Sequence, residues 1–292
     1  MMAVAMTPPA TDQPTHNSAD QSDRVEHSRT DPTPTLIAFF VLTFIWTWGL
    51  WAITSFTERL APDVSTALFL ASAFGPSVAA IVVTLVFGGG RSLRDWLGRC
   101  LNWRIGWRWY ALVLLAPPIV MLVALIVHAA FGGVIPPWPV AGHVFIAIAQ
   151  IPLIAFFGGP LGEEFGWRGY ALPVLTARIG WRKASFVVGT VWGLWHVPLF
   201  YMANTAQADL PMALFLASTF ALSVAFARLS VNSGFSVVPA ILLHSAINWW
   251  SMVLPVMPRE SSTQIYSLVM ALVIAIGLAA LLMPESGKRL PC

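Results

Sequence analysis

Charge is what this chain has least of. Only 10% of its 292 residues are Asp, Glu, Lys or Arg, against about a quarter in an ordinary soluble domain. With 57% hydrophobic residues and a mean hydropathy of +0.73, that scarcity excludes a soluble globule and points to an all-α, polytopic membrane protein. Cysteine is nearly absent as well. Cys100 and Cys292 supply neither zinc-ligand spacing nor a disulfide framework. Cys292 closes Arg-Leu-Pro-Cys, whereas prenylation needs a cysteine four residues from the end, so the chain does not read as a prenylation substrate. It also lacks His-Glu-x-x-His, the arrangement of many zinc proteases. Residues 1–34 carry no apolar core of the signal-peptide kind. They are rich in Thr, Pro, Asp and Ser and read as a disordered polar tail, leaving the first membrane segment as an uncleaved insertion signal.

What is plentiful is apolar sequence in runs of bilayer length. About eight spans, each near the roughly twenty residues a hydrocarbon core requires, are expected at 35–56, 64–87, 109–131, 143–162, 184–202, 210–229, 236–256 and 265–283. They define a transmembrane domain over 35–283, followed by a short cytoplasmic tail, 284–292. Pro152, the Gly158-Gly159-Pro160 break and Pro198 interrupt the fourth and fifth spans. Broken helices at membrane depth occur where the freed backbone lines a protein-walled cavity.

The basic residues orient the bundle. With eight spans and both termini on one side, fourteen of the sixteen Lys and Arg fall on that side, leaving only Arg59 and Arg259 opposite. The positive-inside rule then places the N- and C-termini in the cytoplasm of a multi-pass cell-membrane protein. The pI near 9.2 follows from these short-loop arginines and implies the lipid bilayer, not nucleic acid, as partner.

Three groups of residues stand out from this bland background. Glu163 and Glu164 lie side by side after the 158–160 break, and Glu164 is spaced i, i+4 from Arg168 in the favourable acid-first order. Glu163, rotated by about 100°, cannot share that pair equally. The spacing therefore assigns Glu164 and Arg168 to structural support and leaves Glu163 free to act. The bland reading makes both acids part of a cytoplasmic loop, where acids also suit the first turn of a helix. His196 follows Trp192 by one helical turn on an apolar segment, where a histidine is most often a packing residue. His244 and Asn248 share a face of the seventh span and, read alone, could simply bridge helices. His128, which has no polar company, serves as the contrast. Together the groups are more specific than apart, because ionisable residues inside a membrane mark functional sites. A carboxylate and a histidine can activate water, and a histidine and an amide can stabilise an oxyanion.

Glu163-Glu164-x-x-x-Arg168, Trp192-x-x-x-His196 and His244-x-x-x-Asn248, in that order, resemble the CAAX protease and bacteriocin-processing (CPBP, or Abi) family. Its eukaryotic relative is the Ras-converting, type II CAAX prenyl endopeptidase. The resemblance covers about 140–255; Trp192 stands where the family usually has Phe. It implies an intramembrane endopeptidase working near the cytoplasmic face on a peptide or prenylated protein. Glu163 and His196 would activate the water, and His244 and Asn248 would bind the carbonyl oxygen. Two options stay open for the cofactor. Glu163, His196 and His244 could form a two-histidine, one-carboxylate zinc site, or Glu163 could act as a metal-free general base. The metal-free option is preferred.

Rival classes fit less well. Val231-Asn-Ser-Gly234 has Val where a rhomboid serine motif starts with Gly, and no Gly-x-Gly-Asp supports an aspartyl protease. A transporter would place acids in several spans and show inverted halves. The main alternative is a non-catalytic immunity or scaffold protein of the same family that binds a partner.

Overall fold

The computed structural model describes residues 32–57, 61–258 and 263–284. The two expected tails lie almost wholly outside these residues, as do Arg59 and Arg259. All regular structure among the described residues is helical. The helices are α1 Thr33–Thr57, α2 Pro62–Ser72, α3 Gly75–Cys100, α4 Trp107–Ala130 and α5 Val144–Phe157, followed by α6 Pro160–Gly166 and α7 Leu172–Trp195. The last three are α8 Met212–Asn232, α9 Val238–Val253 and α10 Gln264–Leu282.

Six stretches are long and apolar enough to cross a membrane, by length and composition: α1, α3, α4, the run Val144–Tyr201, α8 and α10. The expected eight is thus approximate, and the difference has two sources. The Val144–Tyr201 run of 58 residues would reach about 87 Å as one straight helix, nearly three bilayer cores. It is instead broken at Gly158–Gly159 and turned at Gly180, whose φ of 76° and ψ of 154° suit a residue without Cβ. Helix α9, with 16 residues, is short for a span. Large side chains such as Ile45, Phe87, Ile126 and Phe145 are exposed, as expected where lipid is the solvent.

The main departure from the sequence reading lies between the fourth and fifth spans. The expected boundary at 162 and the bland loop reading of the two acids both fail. Helix α6 starts at Pro160, passes through a π-helical turn at Trp167–Ala171 and continues as α7. Glu163, Glu164 and Arg168 are 4%, 0% and 1% exposed. Arg168 therefore does not belong with the surface arginines that orient the bundle, and the asymmetry rests on the remaining basic residues.

The helix directions follow from cross-links at their ends. Arg182 Nε donates to the Leu281 carbonyl (3.1 Å) and Arg228 Nη2 to the Pro284 carbonyl (2.6 Å). The Val237 N–H donates to the Cys100 carbonyl (2.9 Å). One end of the bundle therefore collects the Gly180 turn, the C-termini of α3, α8 and α10, and the N-terminus of α9. We call it the arginine-rich end. After a bend at Gly89, the second half of α3 runs beneath the π-helical turn, where Trp96 Nε1 and Arg99 Nη2 both donate to the Gly169 carbonyl, at 2.9 and 3.0 Å.

Candidate active site

The site is built on the helix break. Gly159 has φ 103°, a left-handed backbone that favours glycine. A Cβ there would also meet Glu163 Oε1 at 2.5 Å. The break thus starts α6 abruptly, leaves room for the Glu163 carboxylate and frees the Gly158 carbonyl. Asn248 Nδ2 donates to that carbonyl at 3.0 Å. An amide carries two N–H bonds, so the second remains for another acceptor.

Glu163, His196, His244 and Asn248, drawn from α6, the end of α7 and α9, line one cavity of about 420 Å³. The structure therefore brings together the four residues singled out from the sequence. His128, from α4, lines a different pocket with Gly133 and Ser267.

Hydrogen bonds distinguish the members. Glu163 Oε2 accepts the Trp192 indole N–H at 2.6 Å. His196 Nδ1 lies 2.8 Å from the Trp192 carbonyl. A carbonyl can only accept, so Nδ1 carries the proton, and in the neutral ring Nε2 keeps its lone pair. The rings of Trp192, Trp195 and Phe215 pack edge-on around this imidazole and fix its orientation. Glu164 Oε1 accepts from Arg168 Nη1 at 3.0 Å, as the i, i+4 spacing predicts, and also meets His244 Nδ1 at 2.8 Å. The Arg168 guanidinium lies 4.1 Å from the ring centres of both Trp192 and Phe226. This double cation–π contact helps to hold a cation away from water.

Sequence reasoning missed three of these features. The Glu164–His244 contact spans 80 residues, and no local spacing announces it. The Gly158 carbonyl acts through its backbone alone. Trp192 did leave a signal, since an indole N–H is what it adds over the family's usual Phe.

Among the described residues, no three His, Cys, Asp or Glu side chains gather to hold a metal. Glu163 Oε2 is engaged with Trp192, and Nδ1 of His196 and of His244 with the Trp192 carbonyl and Glu164, so either ring would meet a further ligand through Nε2.

The cavity wall also includes Ala206, Gln207, Leu210 and Met257, from the connections before α8 and after α9.

Buried Glu163, His196 and His244 and half-buried Asn248 thus face one cavity, and comparison with known proteins points the same way. Residues 145–250 match the sequence model of the family described as type II CAAX prenyl endopeptidase Rce1-like. The resemblance carried by the motifs is borne out by this match, which falls on the same stretch of the chain. CAAX prenyl protease 2 of Methanococcus maripaludis is 26% identical over 221 residues, covering 72% of this chain and 81% of the relative.

Proposed function

We propose that this protein is an intramembrane endopeptidase in which Glu163 and His196 activate water and His244 and Asn248 receive the carbonyl oxygen. The observation that carries the reading is the convergence of these four side chains on one cavity. Trp192 links the first two, donating its indole N–H to Glu163 while its carbonyl holds the His196 tautomer. A water between Glu163 and His196 Nε2 gives up a proton as it attacks the scissile carbonyl. The tetrahedral oxyanion is then met by the second Asn248 N–H and by His244 Nε2–H. Because His244 Nδ1 already donates to Glu164, donation from Nε2 as well requires the ring in its imidazolium form. The Glu164 carboxylate at 2.8 Å balances that charge. The proton taken from water passes to the leaving amine.

A neighbouring chamber of about 190 Å³ shares Leu222, Ile247, Ser251 and Met270 with the catalytic cavity and is otherwise walled by apolar side chains such as Val113, Met121 and Val273. It suits the hydrocarbon part of a membrane-borne substrate. That agrees with the relative's name, CAAX prenyl protease 2. The arginine-rich end is assigned to the cytoplasm together with both termini.

The test is cleavage in lipid vesicles of two reporter peptides with the same sequence, one prenylated, with products read by mass spectrometry. We expect His196→Ala to abolish cleavage while the protein stays inserted and folded, and a zinc chelator to leave the wild-type rate unchanged. A His196→Ala variant that cleaves at the wild-type rate overturns the mechanism. Stoichiometric zinc whose removal stops the reaction overturns its metal-free form.

Trp192→Phe is the sharper variant, because it keeps an aromatic face for Arg168 and removes only the N–H to Glu163. A hydrogen bond to a charged group contributes about 1.5–3 kcal/mol, so the turnover number should fall by about 10- to 100-fold. KM should change little, since the indole N–H points at the carboxylate. Equal losses in folding stability and activity would instead mark Trp192 as a packing residue alone.

A further inference from the structure

We propose that Tyr266 and Thr219 are substrate-positioning residues. Their hydroxyl groups hydrogen-bond the peptide backbone on the two sides of the scissile bond and hold an extended segment of about four residues across the site. The proposal rests on the endopeptidase reading and adds how that site grips its substrate. Tyr266 lies in α10, beyond the 145–250 stretch that matches the family model.

The hydroxyl groups in the wall of the catalytic cavity come from Ser218, Thr219, Ser251 and Tyr266. Ser218 donates to the Phe215 carbonyl and Ser251 to the Ile247 carbonyl, each at 2.8 Å, so both are satisfied within their own helices. Tyr266 and Thr219 are only 4% and 3% exposed. Neither side-chain oxygen has a hydrogen-bond partner among the described residues. A buried hydroxyl without a partner is costly, whereas phenylalanine or valine would fill the same space without that cost. Both hydroxyls face the space a substrate enters, which supplies the missing partner.

Their depths along the cavity fix what that partner looks like. A Cβ on Gly277 would meet the Ala221 carbonyl oxygen at 2.6 Å, and Arg228 Nη2 reaches the Pro284 carbonyl just past the end of α10. Helices α8 and α10 therefore run side by side in one direction, offset by 56 positions at both contacts. Thr219 is then level with Ala275, some two and a half turns beyond Tyr266, or about 13 Å along the axis. The catalytic groups stand between these levels. The His196 ring packs on Phe215, one turn before Thr219, and a Cβ on Gly193 would meet Thr219 Cγ2 at 4.0 Å.

An extended peptide advances about 3.3 Å per residue, so about four residues reach from one hydroxyl to the other with the attacked carbonyl between them. In that form its backbone carbonyls and N–H groups are unpaired, and a hydroxyl can donate to the former or accept from the latter. A helical segment would arrive with the same groups already bonded to one another. Met252, Met257 and Met270 supply much of the remaining wall, and methionine adapts to side chains of different shape. Backbone contacts can thus place the scissile bond while the side chains around it vary.

The experiment compares the wild type, Tyr266→Phe and Thr219→Val in lipid vesicles. The substrates are the prenylated reporter peptide and analogues in which one backbone amide other than the scissile one is replaced by an ester. Each variant loses a hydroxyl and keeps its shape. We expect KM for the all-amide reporter to rise about threefold to tenfold in each variant with turnover little changed. Each rise should disappear on one ester analogue, and the two analogues should be altered on opposite sides of the scissile bond. Unfolding temperatures should not fall, because neither hydroxyl has a protein partner to lose. A lowered unfolding temperature with unchanged KM would make the hydroxyls structural and overturn the proposal. A KM increase of the same size on every analogue would also overturn it, since no backbone group is then contacted. Binding of the all-amide reporter to Glu163→Gln, alone and with each second substitution, repeats the comparison without turnover. Weakened binding in the double variants beside a wild type that cleaves nothing would sink the endopeptidase reading and leave the hydroxyl contacts standing. Cleavage by the wild type with unchanged binding in both double variants would do the reverse.

Discussion

Glu163→Gln is expected to lower the cleavage rate by about 10²- to 10⁴-fold, the usual contribution of a positioned general base. The substitution isolates chemistry from architecture. Glutamine has the same shape, and its amide oxygen can still accept the Trp192 N–H that Glu163 holds at 2.6 Å. It cannot take a proton from water. A neutral amide is also less costly to bury than a carboxylate, and Glu163 is only 4% exposed, so the variant should unfold no more readily than the wild type. KM should stay close to its original value, because the carboxylate acts on the water and not on the peptide. Steady-state kinetics in vesicles and a thermal unfolding curve in detergent check both halves. A rate within about threefold of the wild type would remove Glu163 from the role of base.

The second large effect concerns folding. Arg168→Met should destabilise the protein by about 3–5 kcal/mol, the range for breaking one partner of a buried ion pair. Glu164 is fully buried and would keep only His244 as a partner. Replacing both partners, Arg168→Met with Glu164→Leu, should cost less than the single change, because no uncompensated carboxylate is left inside. Thermal unfolding of the two variants decides the matter. If the double variant is the less stable, Glu164 matters chiefly through His244 and not through Arg168. Arg168→Lys should fall between wild type and Arg168→Met, since an ammonium keeps the charge but not the flat guanidinium packed between Trp192 and Phe226.

These predictions also show which parts of the site could be read without coordinates. The Glu164–Arg168 pair and the His244–Asn248 face could be read because helical spacing is local, and both were formed within one turn. The membrane class followed from the shortage of charge alone. Two features were hidden for physical reasons. Arg168 counts as a surface cation in any tally of loop charges, yet it is buried because an acid four residues before it and two aromatic faces from other helices replace water. The joining of Glu164 to His244 is a tertiary event between α6 and α9 and has no period to detect. The number of spans blurred where Gly159 and Gly180 let one long apolar run fold back on itself, since hydropathy measures length and not direction.

The paired layer formed by the bent half of α3 has a further consequence. An enzyme that admits water to the middle of a bilayer risks becoming a leak, because a chain of water and titratable groups can conduct protons from one side to the other. Here the Gly169 and Cys100 carbonyls are tied up by Trp96, Arg99, Ser236 and Val237, and the layer is closed by buried apolar side chains. With two donors each, both lone pairs of these carbonyls are occupied, so neither offers a step to a proton-conducting chain of water through the layer.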